Sequence, residues 1–84
     1  LEMKLWVNGE LRQHANTRDL VLDIPGMVEM ASAVMTLYPG DIITTGTPPG
    51  VGMGMKPPKF LNAGDVVTLG IDGLGAQRQE IVAA

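Results

Sequence analysis

Four consecutive residues, Thr45-Gly46-Thr47-Pro48, carry the clearest potential for chemistry in this sequence. A β-branched run that ends in Thr and passes into Gly-Thr can present a hydroxyl and neighbouring backbone N–H groups to one anionic oxygen. Gly46 allows a ligand to approach the backbone, and Pro48-Pro49 stiffens the chain as it leaves. The competing interpretation is an ordinary strand-to-loop turn, since Thr and Gly are common turn residues. Gly46 and Thr47 are therefore the candidate binding residues.

The other reactive side chains form no recognisable constellation. Gly50, Gly52 and Gly54 are spaced G-x-G-x-G, but neither the Walker A spacing nor the dinucleotide fingerprint is met, and no helical pattern follows. The nine carboxylates are dispersed along the chain. No two of them stand at i, i+2 on a strand or at i, i+3 or i, i+4 on the helix. A hard cation such as Mg²⁺ needs converging oxygens, so no metal site is expected on these residues alone. Asp41 and Asp65 occupy matching Gly-Asp turns and are read as backbone-bonding turn residues. His14, the only histidine, falls in a polar stretch and reads as a solvated loop residue in preference to a general base.

The elements that must position these residues can be read from periodicity. Met3, Leu5 and Val7 alternate with Lys4 and Trp6, the period-2 pattern of a half-buried strand. Asn8-Gly9 is a hairpin-turn pair, because both residues tolerate positive φ. A returning strand is expected over Glu10 to Gln13, followed by a polar loop over His14 to Arg18. Trp6, on the more polar face, suits either an interface or a packed position. One helix is expected over about 24–36, with Asp23 as cap and Pro25 in the first turn. Met27, Met30, Ala31, Val34 and Met35 form its apolar stripe, which reads as core. Tyr38-Pro39-Gly40 ends it.

The second half contains an echo. Tyr38-Pro-Gly-Asp-Ile-Ile-Thr-Thr-Gly46 resembles Asn62-Ala-Gly-Asp-Val-Val-Thr-Leu-Gly70 at an offset of 24 residues. Each copy predicts a Gly-Asp turn that launches a β-branched strand. In the second copy Val67, Leu69 and Ile71 should share one face, opposite Val66, Thr68 and Asp72. Gly73-Leu74-Gly75 then turns the chain into a last strand, about Gln77 to Val82. The Gly- and Pro-rich segment between the copies, 46–58, reads as a long functional loop. The fold class is mainly β (α+β).

Composition narrows the possible functions. A formal charge of −3 with six scattered basic residues argues against nucleic acid. There is no cysteine, so disulfides and thiolate metal sites are excluded, which suits a cytoplasmic location. No apolar run approaches the ~20 residues of a membrane span, so no membrane partner is expected. Eighty-four residues with three aromatics give a core near the lower limit for independent folding. The sequence opens without an initiator Met and already in a strand pattern, so it is expected to be a piece of a longer chain.

Taken in order, Val7-Asn-Gly-Glu-Leu-Arg-Gln13, Asn16-Thr17, Asp23-Ile-Pro25, Tyr38-Pro-Gly-Asp-Ile-Ile-Thr-Thr-Gly-Thr-Pro-Pro-Gly-Val-Gly52, Met53-Gly-Met-Lys-Pro-Pro-Lys-Phe-Leu61, Gly64-Asp-Val-Val67 and Ile71-Asp-Gly-Leu-Gly75 resemble the C-terminal part of the fumarylacetoacetate hydrolase family. The longer loop is similar to the bacterial subgroup labelled 2-hydroxyhepta-2,4-diene-1,7-dioate isomerases or ureidoglycolate lyase-like proteins. The resemblance covers essentially the whole chain and implies that residues 1–84 form the C-terminal portion of an incomplete catalytic domain, part of that family's mixed β-roll.

It further implies a parent hydrolase, isomerase or decarboxylase of 2-oxo or 2,4-dioxo acids that works through an enolate with Mg²⁺ or Mn²⁺. The family's metal ligands (a Glu-x-Glu pair and a later Asp), its catalytic Lys and its His-Glu lid lie upstream and have no counterpart here. What carries over is Thr47 as an anchor for a substrate carboxylate, with Gly46 lining the same pocket. Gln13 and Asn16 match the family pattern without an assigned chemical role. The implied partners are a small-molecule 2-oxo acid, the remainder of the catalytic domain and a second protomer in a homodimer. The isolated chain should be inactive. The rival reading is a non-enzymatic, β-rich assembly module whose apolar face binds a partner.

Overall fold

Alternation of apolar and polar residues in the first seven positions produces the central strand of a sheet. In the computed structural model, which describes residues 1–84, β1 (Glu2–Val7) pairs antiparallel on both sides, with β2 (Glu10–Asn16) and with β3 (Val66–Ile71). β4 (Gly75–Glu80) adds to the free edge of β3, giving the order β2-β1-β3-β4. The expected turn closes the first hairpin, with Asn8 at φ 51° and Gly9 at φ 81°. The Asn8 side chain also reaches β3: its Oδ1 accepts from Val66 N–H at 2.9 Å and its Nδ2 donates to Asp65 Oδ1 at 3.0 Å.

The second strand is longer than the sequence suggested. His14, Ala15 and Asn16, expected in a loop, continue the ladder opposite Lys4, Met3 and Glu2. Their polarity belongs to an exposed edge strand and not to a turn. The register contains one irregularity that propensity could not reveal. Leu5 faces Gln13 while Trp6 faces Leu11, so Arg12 is an extra residue on β2. Such a bulge re-aims the side chains that follow it. It places Gln13 on the face of Met3 and Leu5, where an unbroken register would have placed Arg12. The bulged Arg12 side chain is only 9% exposed, with Nη1 at 3.2 Å from Met55 Sδ. Its Nε lies 3.3 Å from Glu10 Oε1 but out of hydrogen-bond alignment.

The helix α1 (Ile24–Val34) begins as expected, with the Asp23 carboxylate accepting from Gly26 N–H at 2.8 Å, and stops two residues before the expected end. Its apolar stripe does not form a core. Met30, Val34 and Met35 are exposed, Val34 to 78%, because no layer of this chain lies over them.

The two turn echoes share their hydrogen bonds but diverge afterwards. Asp41 Oδ2 accepts from Tyr38 N–H at 2.7 Å, and Asp65 Oδ2 accepts from Asn62 N–H at 2.9 Å. Val66–Ile71 then forms β3, with Val67, Leu69 and Ile71 facing as expected, whereas Ile42–Thr45 forms no strand. A β-branched run becomes a strand only beside a partner, and nothing in this chain pairs with it. Ile42 remains 89% exposed. The last strand starts at Gly75, two residues earlier than expected, and ends at Glu80.

Only Val7 is buried, and the radius of gyration is 15.6 Å. A closed domain of this length would measure about 12 Å. The chain is thus an open sheet with arms, whose apolar surfaces have no counterpart within residues 1–84. No helix is long and apolar enough to cross a membrane.

Candidate functional site

A cleft of about 200 Å³ lies on the Leu5 face of the sheet. Its floor comes from Met3 and Leu5 of β1 and Leu69 and Ile71 of β3, the apolar half of each strand's alternation. Its lip is Gly46-Thr47-Pro48, the segment singled out from the sequence, and Gln13 of β2 stands between floor and lip. Gly46 takes φ +91°, while the space where a Cβ would sit is open. Glycine is needed there for the turn that swings Thr47 over the sheet, and not to relieve crowding.

Gln13 holds the lip in place. Its Nε2 donates to Thr47 Oγ1 at 2.9 Å and to the Pro48 carbonyl at 2.8 Å. Two residues further on, Gly50 presses on the same strand. At φ +116°, a Cβ there would lie 1.9 Å from the Arg12 carbonyl oxygen. Gly52 makes a similar approach to the Lys59 carbonyl, 1.8 Å from its would-be Cβ, and its own carbonyl accepts from Lys59 N–H at 2.9 Å. The glycine spacing thus serves close backbone contact in a loop folded against β2 and against itself. The backbone N–H of Thr47 makes no hydrogen bond within the chain, and its hydroxyl accepts from Gln13 without donating to any group of the chain.

The structure brings Thr47 and Gly46, the candidates expected from sequence, to the cleft together with Gln13, to which sequence reasoning assigned no role. The missing signal was the bulge, since an uninterrupted period-2 reading turns Gln13 to the opposite face. Asn16 also gains a role, a structural one: its Oδ1 caps the 3-10 turn at Thr17–Asp19 by accepting from Arg18 N–H at 3.0 Å.

The opposite face carries the charged cluster. His14, on a strand and not in a loop, has Nε2 at 2.5 Å from Glu2 Oε1, with Lys4 Nζ 4.0 Å from the same oxygen. The hydrogen bond from His14, and then the Lys4 charge, hold the Glu2 carboxyl below its ordinary range. Trp6 lies on this face, half-buried. Of these residues only Lys4 also lines the cleft.

The chain does not itself fit a metal. No three His, Cys, Asp or Glu side chains converge anywhere in it, and the cleft is lined by no carboxylate. A divalent cation needs several oxygens at bonding distance, which these residues do not supply.

Comparison with known proteins identifies the scaffold. A model of the fumarylacetoacetate (FAA) hydrolase C-terminal family matches residues 1–82. The chain belongs to that family. The maleylpyruvate hydrolase of Sphingobium sp. SYK-6 is 59% identical, with a TM-score of 0.83 over 96% of this chain and 28% of that one. That enzyme has also been solved in complex with manganese(II) and pyruvate. The fumarylacetoacetate hydrolase of the psychrophile Exiguobacterium antarcticum gives a TM-score of 0.93 at 43% identity, over 99% of this chain and 30% of that one. A relative from Burkholderia ambifaria is 58% identical over 80 residues, 94% of this chain and 28% of its own length. This fumarylacetoacetate hydrolase-family segment thus spans under a third of the proteins it matches, and its mainly β, α+β architecture is theirs.

Proposed function

We propose that residues 1–84 are the C-terminal portion of a catalytic domain and form one wall of an active site acting on 2-oxo or 2,4-dioxo acids. The complete protein is a metal-dependent hydrolase, isomerase or decarboxylase working through an enolate. The observation that carries this reading is the cleft lip. Thr47 brings an uncommitted N–H and a hydroxyl to the rim of an apolar floor, in a member of a family whose Sphingobium relative was solved with a 2-oxo acid.

In this reading the carboxylate of the substrate accepts from the Thr47 hydroxyl and N–H, and Gly46 leaves room for it beside the backbone. The apolar floor excludes water, which strengthens those hydrogen bonds. The complete protein takes Mg²⁺ or Mn²⁺ on ligands contributed from outside residues 1–84. The exposed apolar faces fit burial by the remainder of the domain and by a second protomer of a homodimer. An assembly module would expose such faces too, but the share of its relatives' length that this chain spans favours the catalytic reading. A cysteine-free enzyme of small metabolites suits the cytoplasm.

The test is pyruvate release from a 2,4-dioxo acid by the full-length protein with Mn²⁺ or Mg²⁺, comparing wild type with Thr47→Val. Turnover that needs the cation and falls in the variant supports the reading. Full activity of Thr47→Val at unchanged melting temperature would make Thr47 a turn residue only.

A further inference from the structure

We propose that Gln13 is a positioning residue that directs the Thr47 hydroxyl proton toward the cleft, where it serves as a hydrogen-bond donor. This rests on the anchoring role proposed above for Thr47.

The argument starts from the Pro48 carbonyl, which can only accept. The Gln13 side-chain atom 2.8 Å from it must therefore be the NH₂ group, which settles the orientation of the amide. The same nitrogen lies 2.9 Å from Thr47 Oγ1, so it donates its second proton there. With one lone pair of the hydroxyl occupied by a donor, the O–H itself must point to another acceptor. None is supplied by the chain, and the open side of the group is the cleft.

A hydroxyl proton directed in this way favours one class of ligand atom. It satisfies a carboxylate or carbonyl oxygen, whereas an ammonium or amide N–H in the same place would turn the hydroxyl proton away and leave it without that partner. The selection for an anionic or carbonyl oxygen is thus set on β2, one residue beyond the Arg12 bulge.

The test is calorimetric binding of pyruvate to the full-length protein loaded with Mn²⁺, for wild type, Gln13→Met, Gln13→Glu, Thr47→Val and Gln13→Met combined with Thr47→Val. Gln13→Met keeps the length of the side chain without its donors. It should weaken pyruvate binding about tenfold, the usual scale for one hydrogen bond to a charged group, and leave Mn²⁺ affinity unchanged. In the Thr47→Val background the same change should add less than about twofold, because residues acting through one another are non-additive.

Gln13→Glu should be weak at neutral pH, where the introduced carboxylate accepts the Thr47 proton and repels an anion. Expressed as a ratio to wild type at each pH, its affinity should recover as the pH falls and that carboxyl protonates to become a donor again. Pyruvate affinity of Gln13→Met within about twofold of wild type, alongside a weakened Thr47→Val, overturns the role of Gln13 and leaves the anchor standing. Additive losses in the double variant overturn it as well. An unaffected Thr47→Val overturns the anchor itself, and the positioning role with it.

Discussion

Asn8 and Asp65 are 57 residues apart in sequence and joined by one hydrogen bond, Asn8 Nδ2 to Asp65 Oδ1 at 3.0 Å. The other Asp65 oxygen closes the Asn62 turn at 2.9 Å, so a single carboxylate ties the first hairpin to the start of β3. The Asn62 N–H, and then the Asn8 amide, hold its carboxyl below the ordinary aspartate range.

A depressed carboxyl stabilises the folded state above its unfolded pKa, about 3.9, and that contribution is lost as pH falls through the lower folded value. In the full-length protein, Asp65→Ala should therefore melt below wild type at pH 7. The gap should narrow as pH drops below about 4. Melting curves across pH 3–7 check this. A gap that widened with acid would contradict it.

Thr47→Val keeps the β-branched shape and removes the hydroxyl. Loss of one hydrogen bond to a charged group costs about 1.5–3 kcal/mol, or roughly one to two decades in kcat/KM. Thr44→Val and Thr45→Val, which remove hydroxyls that have no partner in the chain, should have smaller effects. Steady-state kinetics of the three variants on one 2-oxo acid separate the cases.

Two glycines of the same loop should respond differently to alanine. Gly46→Ala meets only the conformational penalty of positive φ, about 1–2 kcal/mol, since its surroundings are open. Gly50→Ala adds a backbone clash at 1.9 Å from the Arg12 carbonyl and should lower the melting temperature further. It should also weaken substrate binding by pushing the lip off β2. Equal melting temperatures for the two variants would show that the loop does not rest on that strand.

The 84-residue chain produced alone should associate or unfold, because sheet edges and apolar faces stay open to water. It should also show no stoichiometric Mg²⁺ or Mn²⁺ site, because no carboxylates converge. Sedimentation, thermal melting and metal titration test both. A monomer melting cooperatively above ~65 °C, beyond the usual mesophile range, or a micromolar metal site would refute the corresponding half.

Local signals and long-range partners differ in how well the sequence reveals them. The Asn8-Gly9 turn, the Asp23 cap and the faces of β1 and β3 were legible because neighbours a few residues apart determine them. Ile42–Thr45 was misread because its β-branched residues satisfy strand propensity while strand formation needs a partner that the chain lacks. The methionine stripe of α1 was misread as core for the same reason: periodicity marks a face for burial without saying what covers it. At the site, Thr47 and Gly46 stood out by type and spacing. Gln13 did not, because its direction depends on a register shift visible only once β1 and β2 are paired.

The extra residue on β2 interrupts the ladder, but the direction of Gln13 is held by its pairing with Leu5. Removing Arg12 from the chain would close the bulge and restore strict alternation with Gln13 still opposite Leu5, and His14, Ala15 and Asn16 still opposite Lys4, Met3 and Glu2. Exchanging Arg12 for another residue would keep the bulge but alter the contacts with Met55 and Glu10. Across homologous sequences, a one-residue gap at the position of Arg12 would therefore mark proteins that keep this glutamine beside the cleft lip on a regular, unbulged strand.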